Sequence, residues 1–121
     1  MAKILTVDDS RMMRQMLKLT LSEAGHEVFQ ADDGVQGLDV LADIGALDLI
    51  ITDINMPRMD GFGFMMRVRE LPLYRATPIL VLSTESSDEK KSRARAMGAS
   101  GWIVKPFDAI KLLSAVRRVI G

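Results

Sequence analysis

The chain predicts an α/β fold in which five parallel strands form one sheet wound on both faces by helices. Strand-like and helix-like patterns alternate five times along the sequence. The strands read as near-continuous apolar runs, as in Leu49-Ile50-Ile51 and Ile79-Leu80-Val81-Leu82. Such strands are buried on both faces, which calls for a parallel sheet covered by helices on each side. No linker, repeat or low-complexity segment interrupts the pattern, so residues 1–121 are expected to form one domain.

Lys3-Ile4-Leu5-Thr6-Val7 is the first apolar run, cut off by Asp8-Asp9-Ser10. Met13, Met16, Leu17, Leu21 and Ala24 then recur at helical spacing, and Gly25 is placed as a helix stop. Glu27 to Ala31 is the second strand; Asp32-Asp33-Gly34 turns the chain into a helix through Val35, Leu38, Leu41, Ala42 and Ile44, ended by Gly45. Asp48 to Thr52 is the third strand. It delivers Asp53 and then breaks, because Pro57 fixes its own φ and biases Met56 away from helix, while Asp60-Gly61 closes a turn. Phe62, Met65, Met66, Val68 and Arg69 make a third helix that must stop before Pro72, and Leu71 to Thr77 is read as a loop. Pro78 to Leu82 is the fourth strand, ending at Ser83. Ser86-Ser87-Asp88-Glu89 offers caps and first-turn acids to a helix that Gly98 terminates. Ser100 to Val104 is the fifth strand, broken by Lys105-Pro106-Phe107. Asp108 caps a last helix whose expected buried stripe is Ile110, Leu113, Val116, Val119 and Ile120.

Composition narrows the function classes. A hydrophobic content of 48% suffices for one packed core without metals or disulfides, and the chain has no cysteine. There is no signal-like N-terminus and no apolar run near the roughly 20 residues of a membrane span, so a cytoplasmic protein is expected. Sixteen basic against 16 acidic residues exclude a global nucleic-acid field. Nine methionines, mostly at helical spacing, read as core filling. Lys90, Lys91, Arg93 and Arg95 read as a solvated helix face, with an acidic partner as the alternative, and His26, beside Gly25 at a turn, is a poor candidate for catalysis.

In a parallel doubly wound sheet every strand's carboxyl end lies on one edge, and ligands bind there. This chain places Asp8-Asp9, Asp53, Ser83-Thr84 and Lys105 at such ends. Singly, each has a structural use as a cap, a loop start or a solvated lysine; together they exceed what capping needs. Three carboxylates repel one another unless a cation sits between them, and Mg²⁺, which prefers oxygen ligands and shares its octahedron with phosphate oxygens, is the economical choice. An aspartate beside such an ion can attack phosphorus. Lys105 can then neutralise one phosphoryl oxygen and the Ser83 hydroxyl can bond another, which points to aspartyl-phosphate formation. Asp32-Asp33 also follows a strand, but is read as turn and helix-start chemistry.

At these residues the sequence closely resembles the receiver domains of two-component response regulators, most of all their single-domain chemotaxis members. The resemblance spans essentially the whole chain and is carried by Val7-Asp8-Asp9-Ser10, by Asp53-x-Asn55-Met56-Pro57-x-Met59-Asp60-Gly61, by the Ser83 strand end and by Lys105-Pro106-Phe107. It implies a flavodoxin-like fold with strand order 2-1-3-4-5, an order that rests on the resemblance alone. It implies that Asp53 accepts a phosphoryl group from the phosphohistidine of a histidine kinase. It also implies Asp9, Asp53 and the Asn55 backbone carbonyl as direct Mg²⁺ ligands, Asp8 acting through water, Ser83 and Lys105 on the phosphoryl group, and a cis Lys105-Pro106 bond.

The resemblance further implies that Ser83 and the aromatic Trp102 form a switch controlling the face of the fourth helix, fifth strand and fifth helix. Trp102 stands where tyrosine or phenylalanine is commoner, and a static core anchor is its alternative reading. Thr84 replaces a smaller residue and narrows access, while Glu85 and Asn55 lie where the family tunes dephosphorylation by water. The expected protein is a monomeric, stand-alone switch: no output domain follows Gly121, so it signals by binding a protein, with the flagellar motor switch as the chemotaxis target. It is no enzyme beyond its own phosphorylation and dephosphorylation. A phosphate sink or relay shuttle would use the same chemistry. A small flavodoxin-like nucleotide binder would need a Gly-rich loop where Asp8-Asp9-Ser10-Arg11 repels anions, and a phosphohydrolase would carry its nucleophile after the first strand.

Overall fold

A computed structural model describes residues 1–120; Gly121, the last residue of the expected domain, lies outside the described residues. The elements are β1 (Lys3–Val7), α1 (Arg11–Glu23), β2 (Glu27–Ala31), α2 (Gly34–Ile44), β3 (Leu49–Thr52), α3 (Gly61–Glu70), β4 (Ile79–Ser83), α4 (Asp88–Ala96), β5 (Gly101–Val104) and α5 (Ala109–Ile120). All five strands are parallel, in the order β2-β1-β3-β4-β5. This is the expected topology.

Successive strand residues feed opposite faces. Leu5, Ile50, Ile79 and Val81 join Leu41, Phe64, Met65, Val68 and Ala94 beneath α2, α3 and α4. Ile4, Leu49, Ile51, Leu80 and Leu82 join Leu17, Leu21, Leu112 and Val116 beneath α1 and α5. A period of two with apolar residues in both phases is what double coverage requires. The helices begin on short polar caps: Ser10, Asp33, Asp60 and Ser87 accept from the backbone N–H three residues on, and Asp108 Oδ1 accepts from Ile110 N at 2.8 Å. Gly98, just past α4, has φ +92°, as a left-handed helix stop requires.

Several expectations are corrected. The α5 stripe is phased on Leu112 and Val116, with Leu113 and Val119 flanking them, whereas Ile110 is 78% exposed. Two residues is roughly 200° of helix, so burying Leu112 turns Ile110 to the far side. In α1 the buried row runs Met13, Leu17, Leu21, leaving Met16 and Ala24 exposed. Core filling holds for Met65, which is fully buried, and for Met13, Met56, Met59 and Met97, which pack against the two cores, but not for Met12, Met16 and Met66, which face solvent. The segment after α3 is not a plain loop. Pro72–Tyr74 forms a 3₁₀ turn that buries Tyr74, whose single hydroxyl proton is shared between the carbonyls of Leu41 and Gly45. Asp48, Pro78 and Ser100 fall just outside their strands.

Candidate functional site

The sheet register assembles the site. Val7 pairs with Thr52, and Ser83 with Val104, so Asp8, Asp53, Ser83 and Lys105 reach the same edge. The backbone continues the ladder across them: Asp53 N donates to Val7 O and Lys105 N to Ser83 O, each at 2.9 Å. Gly61 brings α3 hard against this edge. A Cβ there would fall 2.2 Å from the Asp53 carbonyl oxygen and 2.8 Å from Ile54 Cα, so no side chain fits.

Asp8 and Asp53 are buried and Asp9 is exposed, and each offers a carboxylate oxygen to a cluster spanning no more than 4.8 Å. The Lys105 ammonium lies 2.8 Å from Asp8 Oδ2 and 2.9 Å from Asp53 Oδ2. The other oxygens are held by backbone: Ser10 N donates to Asp8 Oδ1 at 2.8 Å and Ile54 N to Asp53 Oδ1 at 2.7 Å. Burial pushes the Asp8 carboxyl above its ordinary pKa of 3.8, and the charge of Asp53 adds to this against the pull of Lys105 and Ser10. For Lys105, burial pulls the ammonium down, but its pairing with Asp8 and Asp53 together outweighs that and holds it above the ordinary lysine value of 10.5.

This donor set fits a hard divalent cation. Asp8 Oδ2 is buried and, beyond its ion pair with Lys105, has no hydrogen bond of acceptable geometry. Three carboxylates face one ammonium, and all three offer oxygen, the ligand Mg²⁺ prefers. The Lys105–Pro106 peptide is cis, as the resemblance implied.

Ser83 is fully buried, and its Oγ accepts from Glu85 N at 3.2 Å. Thr84 is exposed at the rim. Glu85 links the site to the fifth strand: its side chain accepts from Asn55 Nδ2 at 3.3 Å and pairs with Lys90 at 3.0 Å, while its carbonyl accepts from Trp102 Nε1 at 2.8 Å. Lys90 is thus partnered and not merely part of a solvated run. Trp102 is half-buried, packed against the core beneath α2, α3 and α4. His26 lies at the start of β2, where its Nδ1 accepts from Ala2 N.

Sequence reasoning missed three contributors. Arg14 Nη1 donates to the Asp8 carbonyl at 2.7 Å from the first turn of α1. The Ile54 amide holds Asp53, a role no side chain advertises. Asp33 caps α2 as expected, yet it also forms a bidentate pair with Arg58. Only the short distance from Arg58 to Asn55 in sequence could have drawn attention to that pair.

Comparison with known proteins agrees with this geometry. The family model for the response regulator receiver domain matches residues 4–117. A chemotaxis protein CheY homolog of Campylobacter jejuni is 37% identical over 120 residues, covering 98% of this chain and 92% of that protein. The crystal structure of the Vibrio cholerae chemotaxis protein CheY4 is 50% identical, covers 98% of both chains and superposes with a TM-score of 0.93. The receiver domain of a Pseudomonas aeruginosa sensor histidine kinase is 25% identical, covers 99% of this chain and 98% of its own, has a TM-score of 0.89, and is described with a magnesium ion in its active-site cleft. With the sheet order, the strand-end acids and the family match all in agreement over most of its length, the chain belongs to the response regulator receiver domains.

Proposed function

We propose that this chain is a phosphorylation switch of bacterial chemotaxis, built as one receiver domain over its whole length and acting in the cytoplasm as a monomer. The observation that carries the reading is the Lys105 ammonium bridging buried Asp8 and Asp53 with Asp9 alongside: an electrophile-binding cation next to a carboxylate nucleophile and a place for Mg²⁺. The similarity to CheY proteins supports the chemotaxis assignment.

A phosphohistidine of a histidine kinase is the donor. One oxygen of Asp53 attacks phosphorus, and the new O–P bond forms as the P–N bond breaks, its electron pair leaving on the imidazole nitrogen. Asp9, Asp53 and the Asn55 carbonyl would hold Mg²⁺ directly and Asp8 through water, and the ion would supply charge withdrawal at the phosphoryl group. Lys105 moves its ammonium from Asp8 toward a phosphoryl oxygen, and Ser83 releases Glu85 N to donate to another. That exchange connects the site to its output, because the loop Ser83 releases is the one whose carbonyl Trp102 holds. Ser83 and Trp102 therefore act as the switch, and the surface of α4, β5 and α5 is the face a protein partner such as the flagellar motor switch reads. Thr84, Asn55 and Glu85 stand at the rim and set how readily water removes the phosphoryl group. The chain catalyses only these reactions on itself.

The test is incubation with acetyl phosphate and Mg²⁺, mapping of the acid-labile phosphoryl group, and emission from Trp102, the sole tryptophan. The expected result is label on Asp53, none in Asp53→Asn or after Mg²⁺ is chelated, and a change in Trp102 emission that tracks the label. Label that survives Asp53→Asn would sink the reading.

A further inference from the structure

Among the described residues Arg58 is the only non-glycine with positive φ, at 64°. It lies in the loop between β3 and α3, just after Asn55. Met59 N donates to Pro57 O at 2.6 Å, closing a three-residue turn on Arg58. A turn of this kind is strained for a residue with a Cβ, and such strain persists only where the surroundings hold it.

What holds it is the neighbouring β2–α2 loop. Arg58 Nε and Nη2 grip the two oxygens of Asp33 at 2.5 and 3.0 Å, a fork-to-fork pair. Beside it, Gly34 N donates to Met59 O at 3.3 Å, and a Cβ on Gly34 would meet the Met59 side chain at 2.8 Å. Asp33 is a firm anchor: its side chain is 4% exposed, and Oδ1 caps α2 through Gln36 N. Capping alone does not explain the pair, since Ser10, Asp60 and Ser87 cap their helices with no cation attached. The loop is also fixed near its ends, where Gly61 N donates to Ile54 O at 2.8 Å. Between those ends lie Asn55 and the strained turn.

We infer that Asp33 and Arg58 form a latch that fixes the β3–α3 loop, making both of them positioning residues for the Asn55 carbonyl and hence for divalent-cation affinity. The inference rests on the phosphorylation-switch reading above. Arg58 would not itself ligate the ion; it holds the loop in the conformation from which the Asn55 carbonyl would serve as a ligand, as outer-shell partners orient metal ligands elsewhere.

Two variants separate this from a merely structural role. Arg58→Gly removes the guanidinium while suiting the positive φ, so the fold loses no backbone support. Asp33→Ser keeps a capping hydroxyl but is too short to reach Arg58. Mg²⁺ alone is titrated into each full-length protein and followed by amide chemical shifts, with thermal midpoints measured in parallel without the ion. The expected result is about a tenfold weaker Mg²⁺ affinity in Arg58→Gly, at the low end of outer-shell effects, with a cooperative thermal transition retained and a metal-free midpoint that falls only modestly, because relief of the positive φ partly offsets the lost ion pair with Asp33. Asp33→Ser should show the same loss, and the double variant no more than either alone. Unchanged affinity in Arg58→Gly overturns the latch while leaving the switch reading intact. A wild-type chain that shows no Mg²⁺-dependent shifts overturns the switch reading and the latch with it. Should Asp33→Ser unfold, Arg58→Gly decides alone.

Discussion

Asp9 is the exposed member of a cluster whose other carboxylates, Asp8 and Asp53, are buried. Among the described residues it pairs with no cation, since Lys105 pairs with the other two. With no divalent ion bound, its charge repels two like charges at close range; at about 4 Å in a water-like dielectric each such interaction is worth about 1 kcal/mol. Asp9→Asn is therefore expected to raise unfolding free energy by about 1 kcal/mol in the absence of Mg²⁺ and to shrink the stabilisation Mg²⁺ brings, by the proposed role of Asp9 as a ligand. Urea unfolding with and without Mg²⁺ checks both parts. A destabilised Asn variant in metal-free buffer would mean that Asp9 makes a favourable contact and the repulsion account is wrong.

At the scale of elements, α3 and α4 are held in different ways. Helix α3 buries Phe62, Phe64, Met65 and Val68, whereas Ala94 is the one residue of α4 that is fully buried. Arg93 of α4 rests over the Phe62 ring, 4.1 Å from its centroid, which adds a modest cation–π contact. The firmer tie is Arg69. From α3 its guanidinium donates to the carbonyls of Tyr74 and Thr77 in the following turn and of Gly98 at the end of α4, at 2.9, 2.7 and 2.9 Å, with longer bonds to Arg75 and Met97. Burial lowers its pKa, the cost of placing a cation where carbonyls alone answer it. Arg69→Met keeps much of the apolar stem and strands those carbonyls. The expected loss is about 3 kcal/mol, from charged hydrogen bonds and acceptors left without partners, and equilibrium denaturation measures it. Hydrogen exchange should rise first at residues 97–100, the junction between α4 and β5. An effect no larger than that of an ordinary surface substitution would show that water replaces the guanidinium freely.

For the whole molecule, 16 basic and 16 acidic residues leave no net field near neutrality, so pH dependence there is set by individual groups. His26 is such a group: its Nδ1 accepts from Ala2 N, and burial, aided by the charged amino terminus, lowers its pKa below the ordinary 6.5. A lowered folded-state pKa favours the neutral ring, so its contribution is fully present above about pH 6.5 and is lost as pH falls through the folded-state value. Thermal midpoints are expected to decline from pH 7 toward pH 5.5 in the wild type and less steeply in His26→Asn; parallel slopes would remove His26 as the cause. Much of this molecule is legible in its sequence. Alternating apolar runs, glycine and proline stops and capping aspartates dictate local structure through steric and hydrogen-bonding rules that act within a few residues, and the fold class, the strand ends and the acids they carry follow from them. The strand order came from resemblance, because nothing local distinguishes one parallel order from another. What tertiary structure alone decided are the contacts between residues far apart in sequence: which turn of α5 faces the sheet, the Tyr74 hydroxyl on α2, the Arg69 tie to α4, and the grip of Asp33 on Arg58. Each depends on how two elements are rotated and spaced in three dimensions, a quantity that periodicity within either element does not contain.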